Sequence, residues 1–136
     1  MAKLQLEIVT PEAKIFSEEV NSVVLPGSEG EMGILPQHAA LMTQIQPGEV
    51  RITRDSGTIS LAVGQGFAQI KDNKVAVLTD MAMKTDDIDE TKTQEAIDRA
   101  QEAIRAQTLV GEELEATQAV LARSLVALNL KRRRHG

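Results

Sequence analysis

The chain has 136 residues, 42% of them hydrophobic, a formal net charge of −5, two Phe, and no Cys, Trp or Tyr. That is enough apolar material for a core, which excludes wholesale disorder, while the lack of cysteine excludes a disulfide framework, a thiolate zinc site and a catalytic thiol. The acidic balance and the scarcity of aromatic rings argue against a nucleic-acid partner, and no apolar run approaches the roughly 20 residues of a membrane-spanning helix, so no direct membrane insertion is expected.

Residues 3–9 alternate, with Leu4, Leu6 and Ile8 on one face, and predict a strand. Further β-rich runs cover residues 20–25, 48–54, 58–63, 67–70 and 74–78. Asp55-Ser56-Gly57 and Asp72-Asn73 read as hairpin connections. Gly64 and Gly66, inside a strand-like stretch, predict a bulge or a close backbone approach. All four prolines and seven of the nine glycines lie within the first 84 residues, and their loss beyond that point predicts helix. Asp87-Ile88-Asp89-Glu90 has capping-box spacing, with Asp87 as the cap and Glu90 reaching back. Ile97, Ala100 and Ile104 then form a narrow stripe, Gly111 interrupts, and Leu114, Leu121, Leu125 and Leu128 mark a second helix with Val120 beside them. The expected fold is mainly β plus α: an N-terminal antiparallel β-sandwich over residues 1–84 and a C-terminal two-helix antiparallel hairpin over residues 85–136. Such thin stripes make a weak hairpin, which is expected to dock on something larger.

Charge is sharply sorted in the helical part. Residues 85–115 carry ten acidic and three basic side chains; residues 116–136 carry no acid and five cations, Arg123, Lys131, Arg132, Arg133 and Arg134. Complementarity to the helix dipole accounts for this pattern on charge alone, and a basic helix end that meets an acidic partner surface is the functional alternative. Catalytic chemistry is not in evidence. His38 is the only internal histidine and has no assignable partners for a metal site or a nucleophile-base pair, so neither catalytic residues nor a metal is expected. Glu18-Glu19 and Asp86-Asp87 are adjacent in sequence and point apart. Gly27-Ser28-Glu29-Gly30-Glu31-Met32-Gly33 lacks the Gly-Lys-Ser/Thr of a phosphate loop and carries two glutamates that repel phosphate. It reads as a tight loop presenting Glu29, Glu31 and Met32 to a partner.

The stretch from Leu25 through that loop to Ile34-Leu35-Pro36-Gln37-His38-Ala39-Ala40-Leu41 resembles the signature of the epsilon subunit of bacterial F-type ATP synthase. The resemblance continues through Pro47-Gly48-Glu49-Val50-Arg51-Ile52, Gly64 to Ile70, Val75-Ala76-Val77-Leu78-Thr79-Asp80 and Asp87-Ile88-Asp89-Glu90, in order along essentially the whole chain. It implies a non-catalytic rotor subunit, peripheral on the cytoplasmic face of the bacterial inner membrane. The sandwich would bind the gamma subunit and rest on the c-ring, with Ser28, Glu29, Gly30, Glu31, Met32, Gly33 and His38 at that interface. The helices would fold down on the sandwich or extend along gamma to the alpha/beta catalytic head. There Arg123, Lys131, Arg132, Arg133 and Arg134 would make inhibitory contacts with acidic segments and restrain ATP hydrolysis.

Some relatives bind ATP through Ile/Leu-Asp-x-x-Arg-Ala at the start of the first helix. The matching positions here are Ile88, Asp89, Lys92 and Thr93. Lysine loses the planar fork of arginine, and Thr93 is branched where the motif has alanine. At most a weak nucleotide site is expected, and no cofactor. The reading from a different class is a stand-alone β-sandwich adaptor that captures an acidic protein partner.

Overall fold

The computed structural model describes residues 2–135, with side chains described through residue 133; the Arg134 side chain lies outside the described residues. Ten strands come first: β1 Leu4–Val9, β2 Lys14–Val20, β3 Ser22–Gly27, β4 Gly30–Ile34, β5 Leu41–Ile45, β6 Gly48–Arg54, β7 Gly57–Val63, β8 Gly66–Lys71, β9 Lys74–Thr79 and β10 Ala82–Lys84. A 3-10 turn at Thr85–Asp87 leads into α1, Glu90–Arg105, and α2, Gly111–His135.

Along the sheet the order is β10-β7-β6-β3-β5-β8-β9-β1-β2, with β4 paired along the edge of β3 opposite β6. Only Gly27 and Ile45 join β3 to β5, so the sheet folds over at that point into two facing layers. The pairing is antiparallel throughout except for β1 and β9, which run parallel from Gln5–Lys74 to Val9–Leu78. Alternation fills the space between the layers. Leu4, Leu6, Ile8, Val20, Leu25, Val50, Ile52, Leu61, Val75 and Val77 are fully buried, and Phe16 is the one aromatic ring among them.

The two hairpin connections lie where the sequence places them. Asp72 and Asn73, at φ 53° and 61°, form the two-residue turn between β8 and β9; such a turn needs two left-handed residues, and Asp and Asn tolerate them. The glycines of the β7–β8 connection are close approaches, not a bulge. A Cβ on Gly64 would strike the Asp80 carboxylate, and one on Gly66 would strike the Leu78 carbonyl. The obstacle at Gly66 is backbone and cannot swing aside. Gly66→Ala should therefore destabilise the sandwich by about 1–3 kcal/mol, the usual cost of overpacking, seen as a lower denaturation midpoint with an unchanged slope in urea.

Four strands escaped the sequence reading: β2, β4, β5 and β10. The predicted capping box also shifts by one pair of residues. Asp89, not Asp87, caps α1, its carboxylate accepting the Lys92 backbone N–H at 3.0 Å. Ile88 is buried against the sandwich, with extended backbone, so helix cannot begin before it.

The two helices pack antiparallel, and α2 lies down against β6 and β7 of the sandwich. Ile97 and Ala100 of α1 and Leu128 of α2 are buried, whereas Leu125 of the predicted stripe is 39% exposed. A small second core of Ala62, Ile88, Ala127 and Leu130, flanked by Met81 and Val126, joins the helices to the outer side of β7. The connector bends through Gln107 and Gly111, both at φ 58°.

Candidate functional site

The segment expected to be a Gly-framed loop is a β-hairpin. β3 and β4 pair from Val23–Ile34 to Gly27–Gly30, leaving only Ser28 and Glu29 as the turn, with Gly30 at φ 122°. Met32 lies opposite Leu25 and packs on the core, so it supports the hairpin and is not presented from a loop. Ser28, Glu29, Gly30, Glu31 and Gly33 are exposed. His38 is half-buried beyond the hairpin. Its Nδ1 lies 2.7 Å from the Ala39 carbonyl and its backbone N–H donates to the Leu35 carbonyl at 3.2 Å, a local turn with no catalytic partner. Gln37, at φ 69°, donates its N–H to the Asn73 side chain at 2.6 Å and so ties this turn to the β8–β9 connection.

Glu31 is not isolated at the hairpin. Arg51 of β6 reaches across and donates both guanidinium nitrogens to its carboxylate, at 2.5 and 3.1 Å. Arg51 also donates to Glu49 at 3.3 Å. The hydrogen bond from Arg51 holds the Glu31 carboxyl below its ordinary value; desolvation opposes it, and the charges of Arg51 and then Arg133 add to the lowering. The same contacts, Glu31 first, raise Arg51.

Four of the five cations predicted to meet a partner, Arg123, Lys131, Arg132 and Arg133, are engaged within the chain. Arg123 pairs with Asp80 at 3.2 Å, both side chains about one third exposed. Arg133 pairs with Glu49 at 2.9 Å, Lys131 donates to the Asp86 carbonyl at 3.3 Å, and Arg132 donates to the Gln94 side-chain oxygen at 3.4 Å. Asp80, Glu49 and Arg51 were not singled out by sequence, because nothing in their local spacing announces partners 43 and 84 positions away on α2 for Asp80 and Glu49, or 20 positions away on β4 for Arg51.

A further surface was also missed. Met42, Phe67 and Leu78 are 67%, 55% and 55% exposed. Phe67 lies opposite Gln44 on β5 and Leu78 on β9, and Met42 lies opposite Gln69, so the three share the outer face of β5-β8-β9. The signal was present: β8 reads Phe67-Ala68-Gln69-Ile70, with apolar residues in both phases of the alternation. An exposed apolar group on a sheet whose other face already fills the core marks a contact surface.

Between α1, α2 and the β9–β10 connection lies a cleft of about 390 Å³, lined among others by Met81, Asp87, Asp89, Lys92, Thr93 and Arg123. Of the expected nucleotide motif it contains Asp89, Lys92 and Thr93 but not Ile88. Ile88 is buried in the small core, Asp89 is spent on the α1 cap, and Arg123 is committed to Asp80. Lys92 then faces two carboxylates in the cleft. Among the described residues no group of three or more His, Cys, Asp or Glu is gathered to hold a metal ion, and no helix is long and apolar enough to cross a membrane.

Residues 3–85 match the family "ATP synthase, Delta/Epsilon chain, beta-sandwich domain". A curated relative, the ATP synthase epsilon chain of Dehalococcoides mccartyi, is 44% identical over 137 residues, covering 99% of this chain and 98% of its own. Two solved structures show a similar fold. A chain of the Euglena gracilis mitochondrial ATP synthase, in a structure of its OSCP, F1 and c-ring, has a TM-score of 0.72 at 23% identity, covering 93% of this chain and 79% of that one. A chain of the central stalk and c-ring of the Tetrahymena thermophila mitochondrial ATP synthase has a TM-score of 0.53 at 12% identity, with both chains fully covered.

Proposed function

This chain belongs to the ATP synthase delta/epsilon family, and from that premise we propose that it is the central-stalk rotor subunit of a proton-translocating F-type ATP synthase, with no catalytic residues of its own. It works as part of the membrane-bound complex, peripheral on the cytoplasmic face of the bacterial inner membrane. The sandwich couples rotation of the c-ring to the catalytic head. The β3–β4 hairpin and the His38 turn face the ring, and the Met42, Phe67 and Leu78 face seats the gamma subunit. Residues 85–136 form a regulatory unit that lies down or extends toward the alpha and beta subunits, where its basic end restrains ATP hydrolysis. ATP is not a ligand of the hairpin.

The observation that carries this reading is the pairing of two features in one molecule. An exposed apolar face lies on a well-filled sandwich, and a helical pair is joined to that sandwich by a small core of four buried residues among those described, with Met81, Val126 and a few ion pairs beside it. The first is what a permanent partner covers, and the second is what a movable element needs. The test is copurification. The chain should be retained by gamma, and Phe67→Glu should abolish retention, because a carboxylate at the centre of an apolar contact costs several kcal/mol when desolvated. Phe67 is more than half exposed, so the isolated variant should melt within about 0.5 kcal/mol of the parent. Retention of the variant at parental affinity would remove gamma from this face.

A further inference from the structure

Glu49 and Glu31, which lie 84 and 102 positions before Arg133 in sequence, share one surface with it. Glu31, on the hairpin assigned above to the ring, is bonded to Arg51; Arg51 is bonded to Glu49; Glu49 is bonded to Arg133, in the last turns of α2. The signs alternate along the row, and the Glu49 carboxylate, 16% exposed, is the hinge shared by both cations. Arg133 is also close enough to Glu31 to lower its proton affinity. The row therefore behaves as a compact group of two negative and two positive charges, not as separate pairs.

We propose that Glu31, Arg51, Glu49 and Arg133 form a latch that parks the end of α2, and that a cationic or N–H-rich partner loop engaging Glu31 opens it. The inference rests on the reading that the β3–β4 hairpin meets the ring. Its physical content is competition. Glu49 already holds both Arg51 and Arg133, and Glu31 offsets the charge of Arg51. When Glu31 is recruited by a partner that offset is lost, two cations remain on one carboxylate with no second anion beside them, and Arg133 is repelled. Docking at the hairpin thereby raises the chance that the helices leave the sandwich.

Competition predicts opposite signs for neighbouring substitutions, which loss of a structural contact does not. Glu31→Gln leaves two cations on Glu49 and should open the latch. Glu49→Gln should open it further, by removing the hinge. Arg51→Gln leaves Glu31 and Glu49 both facing Arg133 and should hold the latch more tightly than in the parent. Because the chain has no cysteine, Ser56→Cys and Asn129→Cys, both at exposed positions, provide a unique pair for dyes or spin labels on β7's turn and on α2. At low salt the open fraction read from that pair should change by up to about fivefold per substitution, the range of an exposed ion pair. Near 1 M salt, where screening acts over about 3 Å, the variants should converge. Opening by Arg51→Gln, or no change in any variant at low salt, would overturn the latch. Adding a c-ring with bound gamma separates the two readings. If the substitutions behave as stated in the isolated chain but ring docking leaves the open fraction unchanged, the latch stands as an ionic device and its link to the ring falls. If docking opens the parent and not Glu31→Gln, both hold.

Discussion

Ala62→Asp is expected to detach the helical hairpin while leaving the sandwich folded. Ala62 points outward from β7 and is fully buried, in contact with Ile88, Ala127 and Leu130. A carboxylate there would lie directly opposite Glu49 on β6, whose cations Arg51 and Arg133 are already engaged, and a buried charge set beside a like charge costs several kcal/mol. Two routes of relief exist, and the magnitudes decide between them. Lifting the hairpin loses one small apolar contact and ion pairs worth about 0–1 kcal/mol each. Opening the sandwich would lose the core that holds Leu4, Leu6, Ile8, Val23, Leu25 and the rest, with two layers of strands. Lifting is far cheaper. The labelled pair on β7's turn and α2 should report a fully separated hairpin, the sandwich should keep its cooperative melt, and the variant should inhibit ATP hydrolysis by the catalytic head more strongly than the parent. Unchanged label separation would mean that the docking contact is much stronger than its four residues suggest.

A chain ending at Lys84 should show the converse: no inhibition, with the sandwich and gamma binding retained. Strand β10 ends there, and its three pairs with β7, Ala82–Val63, Met83–Ala62 and Lys84–Leu61, are kept. Every residue of the main core precedes that point. Removing the helices exposes Ala62 and Met81, a small loss beside the main core, so the truncated chain should melt cooperatively at a somewhat lower midpoint. In the ATP hydrolysis assay the head should run at the same rate with the truncated chain bound as with no inhibition at all. Full inhibition by the truncated chain would place the inhibitory element in the sandwich, and an unfolded truncated chain would place the domain boundary elsewhere.

The parts of this architecture that sequence made legible are those written in local period or composition. Strands β1 and β6 alternate, β7, β8 and β9 are dense in β-forming residues, and the break at residue 84 is a change in glycine and proline content. The missed elements lack that signal. β2 reads Lys-Ile-Phe-Ser-Glu-Glu-Val, an edge strand whose outward positions are charged; β4 carries two glycines in five residues; β10 is three residues long. The cap of α1 was misplaced because Asp87 and Asp89 are equivalent in sequence, and only burial of Ile88 by the sandwich chooses between them. For the site, sequence supplied the members but not the meetings. Glu31 and Arg133 were both identified, for separate roles, while Arg51 and Glu49, which join them, are ordinary alternating strand residues until α2 lies down beside β6.

The bend between the helices has a mechanical consequence. Gln107 is held in the left-handed region, where a residue with a Cβ is about 1 kcal/mol worse off than in a right-handed helix, while Gly111 at the same φ carries no such penalty. Straightening it into continuous helix would relax Gln107 and place Gly111 in a helix interior at a similar cost of about 1 kcal/mol, so the bend stores little net energy and is a hinge that turns either way, not a spring.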